Sequence, residues 1–297
     1  MPVAIRPFER RDRDQLTALI NMHVAAVIPG VVLSVKTVLG QLEREPQENI
    51  VDPWVAERRC LVAERSDGIV AATLLHRFRS DRDVSESYRG IGDVRWLVCA
   101  IDAADAGARL LDTALEQMSA WQVRLVVADC SLPARGCYGV PDTLPHIRSL
   151  LSDAGFGEPT RTELVLAVRC DALTGHRLDG AAIKRTLGLL GARFTLSQDA
   201  SELGFIEVCD QSTDMGRSSV AVRWADIGNL ILHDGTDPAI AVPALLSAGA
   251  EWLLLGGVAR LLDYWAEDVD PPGRLAQLEN AGFRMLVRNE RGFTRTP

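Results

Sequence analysis

The sequence predicts a mixed α/β chain in two halves, the second a shortened copy of the first. Three observations carry that expectation. First, one order of elements occurs twice. Strand 94–101, helix 108–121, strand 123–130, helix 144–153 and strand 163–168 are answered by strand 227–233, helix 243–255, strand 258–265, helix 273–280 and strand 284–287. Second, short marks recur in step with those elements: Arg124-Leu125 returns as Arg260-Leu261, and Ala154-Gly155-Phe156 as Ala281-Gly282-Phe283. A supersecondary unit repeated in this way points to a duplicated domain. Third, a length of 297 residues fits one to two domains. The copies differ mainly in the loop 131–143, which the second nearly lacks.

The elements follow in order. Residues 3–6 read as a short strand. Asp12 or Asp14 can cap a helix whose apolar positions, Leu16, Leu19, Ile20, His23 and Val24, have helical spacing, and Pro29-Gly30 ends it. Ser34 caps a second helix carrying Val35, Val38, Leu39 and Leu42, which stops before Pro46. Strands 54–64 and 69–78 flank the turn Ser66-Asp67-Gly68, a hairpin signal. Antiparallel hairpins thus precede the strand–helix–strand crossovers. Residues 171–192 read as a connector with helical spacing at Ile183, Leu187 and Leu190. Strands 194–196, 204–209 and 218–224 then open the second half, with no counterpart of the two N-terminal helices. The expected division is 1–170, a connector 171–192, and 193–297.

Composition narrows the function. A hydrophobic fraction of 47% with 24% charged residues is that of an ordinary globular chain. No uninterrupted apolar run reaches the ~18 residues of a membrane span. Residues 1–13 carry no apolar signal core, so no membrane role and a cytoplasmic location are the expectation. A net charge of −8 disfavours nucleic acid as a partner and leaves a small-molecule substrate. The six cysteines form no Cys-x-x-Cys and no zinc spacing; they read as buried thiols, with no metal expected. The oligomeric state is not legible.

The residues resemble the GCN5-related N-acetyltransferase (GNAT) superfamily, in tandem. The resemblance covers most of 3–168 and returns, weaker, over 194–295. It rests on Ile5-Arg6-Pro7 before the helix start, and on Leu61-Val62-Ala63-Glu64 with Asp67-Gly68-Ile69-Val70. Ala108-Arg109-Leu110-Leu111 with Ala114-Leu115-Glu116 and the terminal Ala154-Gly155-Phe156 complete it. It implies two mixed splayed sheets flanked by helices, the second copy truncated at its N-terminus. It also implies acetyl-CoA or another acyl-CoA as co-substrate. The pantetheine arm would pair with backbone groups of the fourth strand, here Trp96, Leu97 and Val98. The pyrophosphate would sit at the following helix N-terminus, on Gly107, Ala108 and Arg109, where backbone N–H groups and the helix dipole favour an anion.

The chain departs from the family at that loop. Where the family has Arg/Gln-x-x-Gly-x-Gly, this sequence has Asp102-Ala103-Ala104-Asp105-Ala106-Gly107, with only the last glycine kept. Two carboxylates beside a pyrophosphate repel it, and Asp105 removes a Cβ-free approach. Asp102 or Asp105 can instead cap the helix. The second copy reads Asp234-Gly235-Thr236-Asp237-Pro238-Ala239, where Asp237 is a cap and Pro238 the first helical residue. The family's tyrosine general acid is also missing, Leu151 and Leu278 standing at its place.

Two weaker catalytic candidates remain. Tyr138 lies in the longer loop of the first copy and can equally pack on the surface. His76 lies in strand 69–78 on the side of Ala72 and Leu74; it can be a base at the splay or a satisfied core histidine. Adjacent His233 and Asp234 point to opposite faces and make no dyad. Trp96 and Trp224, in or near the two fourth strands, can line a ligand pocket. The expected function is acyl transfer from acyl-CoA to an amine of a small molecule, in the first half. The alternative is a GNAT fold that has lost CoA-dependent transfer and uses the same cleft for a small molecule or another reaction, such as decarboxylation or rearrangement.

Overall fold

A computed structural model of the chain describes residues 3–43, 52–211, 223–269 and 273–297. Contacts divide the chain into two units, Met1–Glu163 with Arg288–Pro297, and Leu164–Val287. The first unit contains β1 (Ala4–Pro7), α1 (Arg13–Val27), α2 (Val35–Glu43), β2 (Val55–Arg65), β3 (Gly68–Phe78), β4 (Ile91–Cys99), α3 (Ala104–Ala120), β5 (Leu125–Ala128), the short β6 (Val140–Pro141) and α4 (Pro145–Asp153). The chain crosses the division in β7 (Arg161–Arg169). It continues as β8 (Ala181–Gly188), β9 (Gly191–Gln198), β10 (Ser201–Asp210), β11 (Trp224–Leu232), α5 (Pro238–Leu255), β12 (Arg260–Ala266), α6 (Arg274–Asn280), β13 (Arg284–Arg291) and β14 (Phe293–Arg295).

One sheet has the order β1-β2-β3-β4-β5-β14, the other β6-β13-β7-β12-β11-β10-β9-β8. The first sheet therefore receives its last strand from the end of the chain, where Phe293, Thr294 and Arg295 pair antiparallel with Ala128, Val127 and Val126. In both sheets antiparallel hairpins lead to a parallel pair, β4 with β5 and β11 with β12. The mixed splayed architecture expected from the sequence is present twice.

The core of the first unit lies between the sheet and α3. Ala106, Leu110, Leu111, Ala114 and Met118 form the buried stripe of α3 and cluster with Leu75, Val94, Leu97 and Val126. Each such large side chain stabilises the fold by ~1.5–3 kcal/mol. Gly107 allows the close approach: a Cβ there would lie 2.8 Å from both Cys99 Sγ and Leu150 Cδ1. The hydroxyl of Ser34 accepts from Thr37 N–H at 3.1 Å, as expected of the α2 cap. Asp12 is buried and bound to Arg6 instead of capping α1 by its side chain.

Three expectations need correction. Residues 171–192 are no helical connector: β8 and the start of β9 occupy 181–192. The spacing of Ile183 and Leu187 imitated a helix because β8 is an edge strand, exposed along nearly its whole length, and so carries no alternating burial. The division into units comes earlier, at Glu163, and returns the last ten residues to the first unit. Finally, α5 starts at Pro238 and keeps Pro243 inside it, so it is 18 residues long and apolar enough by composition to cross a membrane. Its Val242, Leu245, Leu246 and Leu253 are buried in the second unit's core, and Glu251 pairs with Arg177 at 2.7 Å. Of the strand expected over 218–224, only 223–224 lie within the described residues, and β11 begins at Trp224.

Candidate functional site

The same opening occurs in both sheets. In the first unit, Ile91, Gly92 and Asp93 of β4 pair with Leu125, Val126 and Val127 of β5, and from Val94 to Cys99 the strand has left its parallel neighbour. On the other side Leu75 faces Val94 and Leu74 faces Trp96, so Arg95 is the extra residue of a bulge. In the second unit, Trp224, Ala225 and Asp226 pair with Arg260, Leu261 and Leu262, after which β11 runs on without β12. Val208 faces Ile227 and Glu207 faces Asn229, so Gly228 is the bulged residue. Each sheet opens just beyond a buried aspartate, Asp93 or Asp226.

The first opening is closed by the chain itself. Trp96, Leu97, Val98 and Cys99 are all buried. The indole N–H of Trp96 donates to Gln41 Oε1 at 2.8 Å. The backbone N–H of Cys99 lies 3.0 Å from His23 Nε2, and its carbonyl lies 3.0 Å from His146 Nε2. The same His23 nitrogen lies 3.1 Å from the Cys99 carbonyl, so the two imidazoles together enclose the backbone of Cys99, and Nδ1 of His146 is buried with no partner among the described residues. Burial holds His23 down at about 4, so it is neutral at pH 7. Leu97, Cys130, Leu132, Val140, Leu144 and Ile147 fill the rest and leave a void of about 10 Å³, at the limit of one water molecule.

At the root of this opening lies a partly buried ionic network. Arg291 Nη2 donates to Asp129 Oδ1 at 2.7 Å and Arg291 Nη1 to Glu163 Oε2 at 2.6 Å. Arg95 and the Ser131 hydroxyl donate to the other Asp129 oxygen. Burial pushes Asp129 up, but Arg291, Ser131 and Arg95 together hold it below the usual carboxylate range. Asp93 has the opposite balance: burial, joined by the charge of Asp129, outweighs Arg95 and Arg291 and raises it to about 7. Its Oδ1 has no hydrogen-bond partner among the described residues.

The second unit has a different root. Tyr264 donates its hydroxyl to Asp226 Oδ2 at 2.9 Å, and the Gln211 amide donates to Oδ1. The indole N–H groups of Trp224 and Trp265 are buried with no partner among the described residues. Asp263 is clasped by Arg274 at 2.7 Å, yet burial raises it to about 6. Beyond the bulge the strand is accessible: Ile231 is 43% exposed, and Gly228, Asn229, Leu230 and Leu232 are half-buried. Beside the first turns of α5 a cavity of about 680 Å³ is lined by Leu173, His176, Pro238, Val242, Pro243 and Asn280. That volume suits a small-molecule site.

The two helix N-termini also differ. Ala103 stands at the N-cap of α3 with no side-chain hydrogen bond, so neither Asp102 nor Asp105 occupies the cap. Asp105 instead pairs with Arg65. In α5, Asp237 is the cap expected from the sequence: its Oδ1 accepts from Ala239 N–H at 2.9 Å, its carbonyl accepts from Ile240 and Ala241, and Pro238 has no N–H.

The sequence candidates are thus spread out. Leu97 lines the small void, Trp96 and Val98 are sealed in the core, and Gly107 packs against Cys99. Ala108 and Arg109 are exposed on α3. His76 faces Asp93 across β3 and β4, and its Nε2 accepts from Arg58 at 3.2 Å. Tyr138 lies under the Arg291 guanidinium, 5.4 Å from ring centre to Cζ. Sequence reading missed Asp93, Asp226, Gln211 and Tyr264. The matching positions of the two aspartates, each directly before a strand read from the sequence (94–101 and 227–233), were the available signal.

No family model matches the sequence, and no curated protein matches it. Solved structures do. A tandem GNAT protein from the clavulanic acid biosynthesis pathway, solved without AcCoA, has a TM-score of 0.66 at 15% identity, over 99% of this chain and 98% of that one. A GCN5-related N-acetyltransferase from Sphaerobacter thermophilus has a TM-score of 0.61 at 11% identity, over 99% and 95%. A GCN5-related glucosamine N-acetyltransferase region of a fungal multidomain GH3 β-N-acetylglucosaminidase gives 0.59 at 12%, covering 98% of this chain and 38% of that one.

Proposed function

We propose, from the premise that the chain has a tandem GNAT fold, that it is an acyltransferase moving an acetyl or related acyl group from acyl-CoA to an amine of a small molecule. The sequence put the acyl-CoA track on the first unit. Accessibility favours the second. One observation carries this reading: past its bulge β11 is accessible, while the same stretch of β4 is buried and its end is held by two imidazoles. The cavity beside α5 adds room for the nucleotide end. The pantetheine arm would run back along β11 from α5, so the thioester reaches the bulge at Gly228. Backbone N–H groups there would polarise its carbonyl. The neutral amine nitrogen attacks that carbon, the C–N bond forms, the C–S bond breaks, and the proton the nitrogen sheds ends on the departing thiolate. The first unit, with His76 and Tyr138, is then structural.

A second reading has its own support. Asp237 and Pro238 leave the first turn of α5 without a free N–H for a pyrophosphate, and Asp102 with Asp105 place negative charge at α3. On that reading the fold holds a small molecule without CoA-dependent transfer. Titration calorimetry with CoA and acetyl-CoA separates the two. Saturable binding supports acyl transfer; no heat with either ligand at millimolar concentration supports the second reading.

A further inference from the structure

The turn between β8 and β9 is fastened over the bulge of β11. Glu207, buried in β10, accepts from Leu189 N–H at 3.1 Å, from Leu190 N–H at 3.3 Å and from the Asn229 amide at 2.7 Å. Three N–H donors on one buried carboxylate make a firm tether. Glycines permit the fit. A Cβ on Gly188 would strike the Glu207 carboxylate, and one on Gly191 would strike the Val208 carbonyl. A Cβ on Gly228 would lie 2.5 Å from Leu190 Cβ and 3.2 Å from its Cδ1. Leu190 therefore rests on the bulged glycine. Its neighbours Leu187 and Leu189 point into solvent, 91% and 88% exposed.

We infer that Leu190 limits the acyl group to a short chain. The inference rests on the acyl-CoA reading above, in which the thioester reaches Gly228. A side chain in contact with that residue takes the space a longer acyl chain would need, and the Glu207 tether keeps the turn from swinging aside. Leu190 acts on selectivity alone; it has no role in the bond-making step.

The test is calorimetric binding of free CoA, acetyl-CoA and hexanoyl-CoA to the wild-type chain, Leu190→Ala and Leu189→Ala. The expected wild type binds CoA and acetyl-CoA with similar affinity and hexanoyl-CoA at least ~10-fold more weakly, a difference of about 1.4 kcal/mol. Leu190→Ala should shrink that ratio to ~2-fold or less without changing the affinity for free CoA, while Leu189→Ala, altering an exposed neighbour, keeps the wild-type ratio. An unchanged ratio in Leu190→Ala, with CoA still bound, overturns the role of Leu190 and leaves the acyl-CoA reading standing. Binding of none of the three ligands overturns that reading and this inference together.

Discussion

Replacing Arg291 with Met should unfasten the chain end from the first unit. The methionine keeps most of the stem and removes the charge that Asp129 and Glu163 share. Removing one partner of a buried pair costs ~3–5 kcal/mol, because the other charge stays behind. Glu163 is only 3% exposed, but Arg291 and Asp129 are 19% and 26% exposed, which favours the lower end. Lost stacking on Tyr138 adds ~0.5 kcal/mol. For a unit of this size 1 kcal/mol is ~2–4 °C, so a loss of ~3.5 kcal/mol should lower the melting temperature by ~7–14 °C. The assay is thermal unfolding of the full chain at pH 7 and pH 5. Glu163 is already raised by burial against the pull of Arg291, and without that arginine it rises further. A carboxylate with a raised folded value favours folding at low pH and loses that contribution as pH rises through it. The deficit should therefore shrink at pH 5, and Arg291→Met with Glu163→Gln should recover part of it at pH 7. A fall under ~2 °C, or a deficit that is the same at both pH values, would refute the clasp.

Three further predictions concern the two openings. Asp93, raised to about 7, makes the wild type lose stability as pH rises from about 5 to 8; Asp93→Asn should flatten that part of the curve, as read by denaturant midpoints. Gly107→Ala should cost ~1–3 kcal/mol by overpacking against Cys99 and Leu150, measured by chemical denaturation; a neutral result would mean α3 does not sit as described. Asp237→Ala should cost ~1 kcal/mol through the lost α5 cap, and Asp237→Asn, which retains a cap, much less.

The sequence was most legible where a pattern had one cause. The repeated strand–helix order, the Ser34 and Asp237 caps and the hairpin at Gly68 all follow from local chemistry. It was least legible at β8, whose two faces are both exposed, and at Pro243, which a helix start explains as well as a helix interior. The state of each opening was hidden for another reason. Trp96, Leu97 and Val98 read as a ligand track from their strand alone. What seals them are His23, His146 and Leu132, from three other segments, and no local pattern marks those contacts. The pairing of Tyr264 with Asp226 is likewise a product of the parallel register of β11 and β12.

Amide hydrogen exchange with and without saturating acetyl-CoA tests the central claim most directly, since a pantetheine arm paired to a strand edge slows the amides it binds. The account predicts new protection within residues 228–232 of β11, at the amides that point away from β10, and none across 96–99 of β4, where Cys99 N–H is already held by His23. Protection confined to 96–99, or acetyl-CoA binding that leaves 228–232 unchanged, would contradict it.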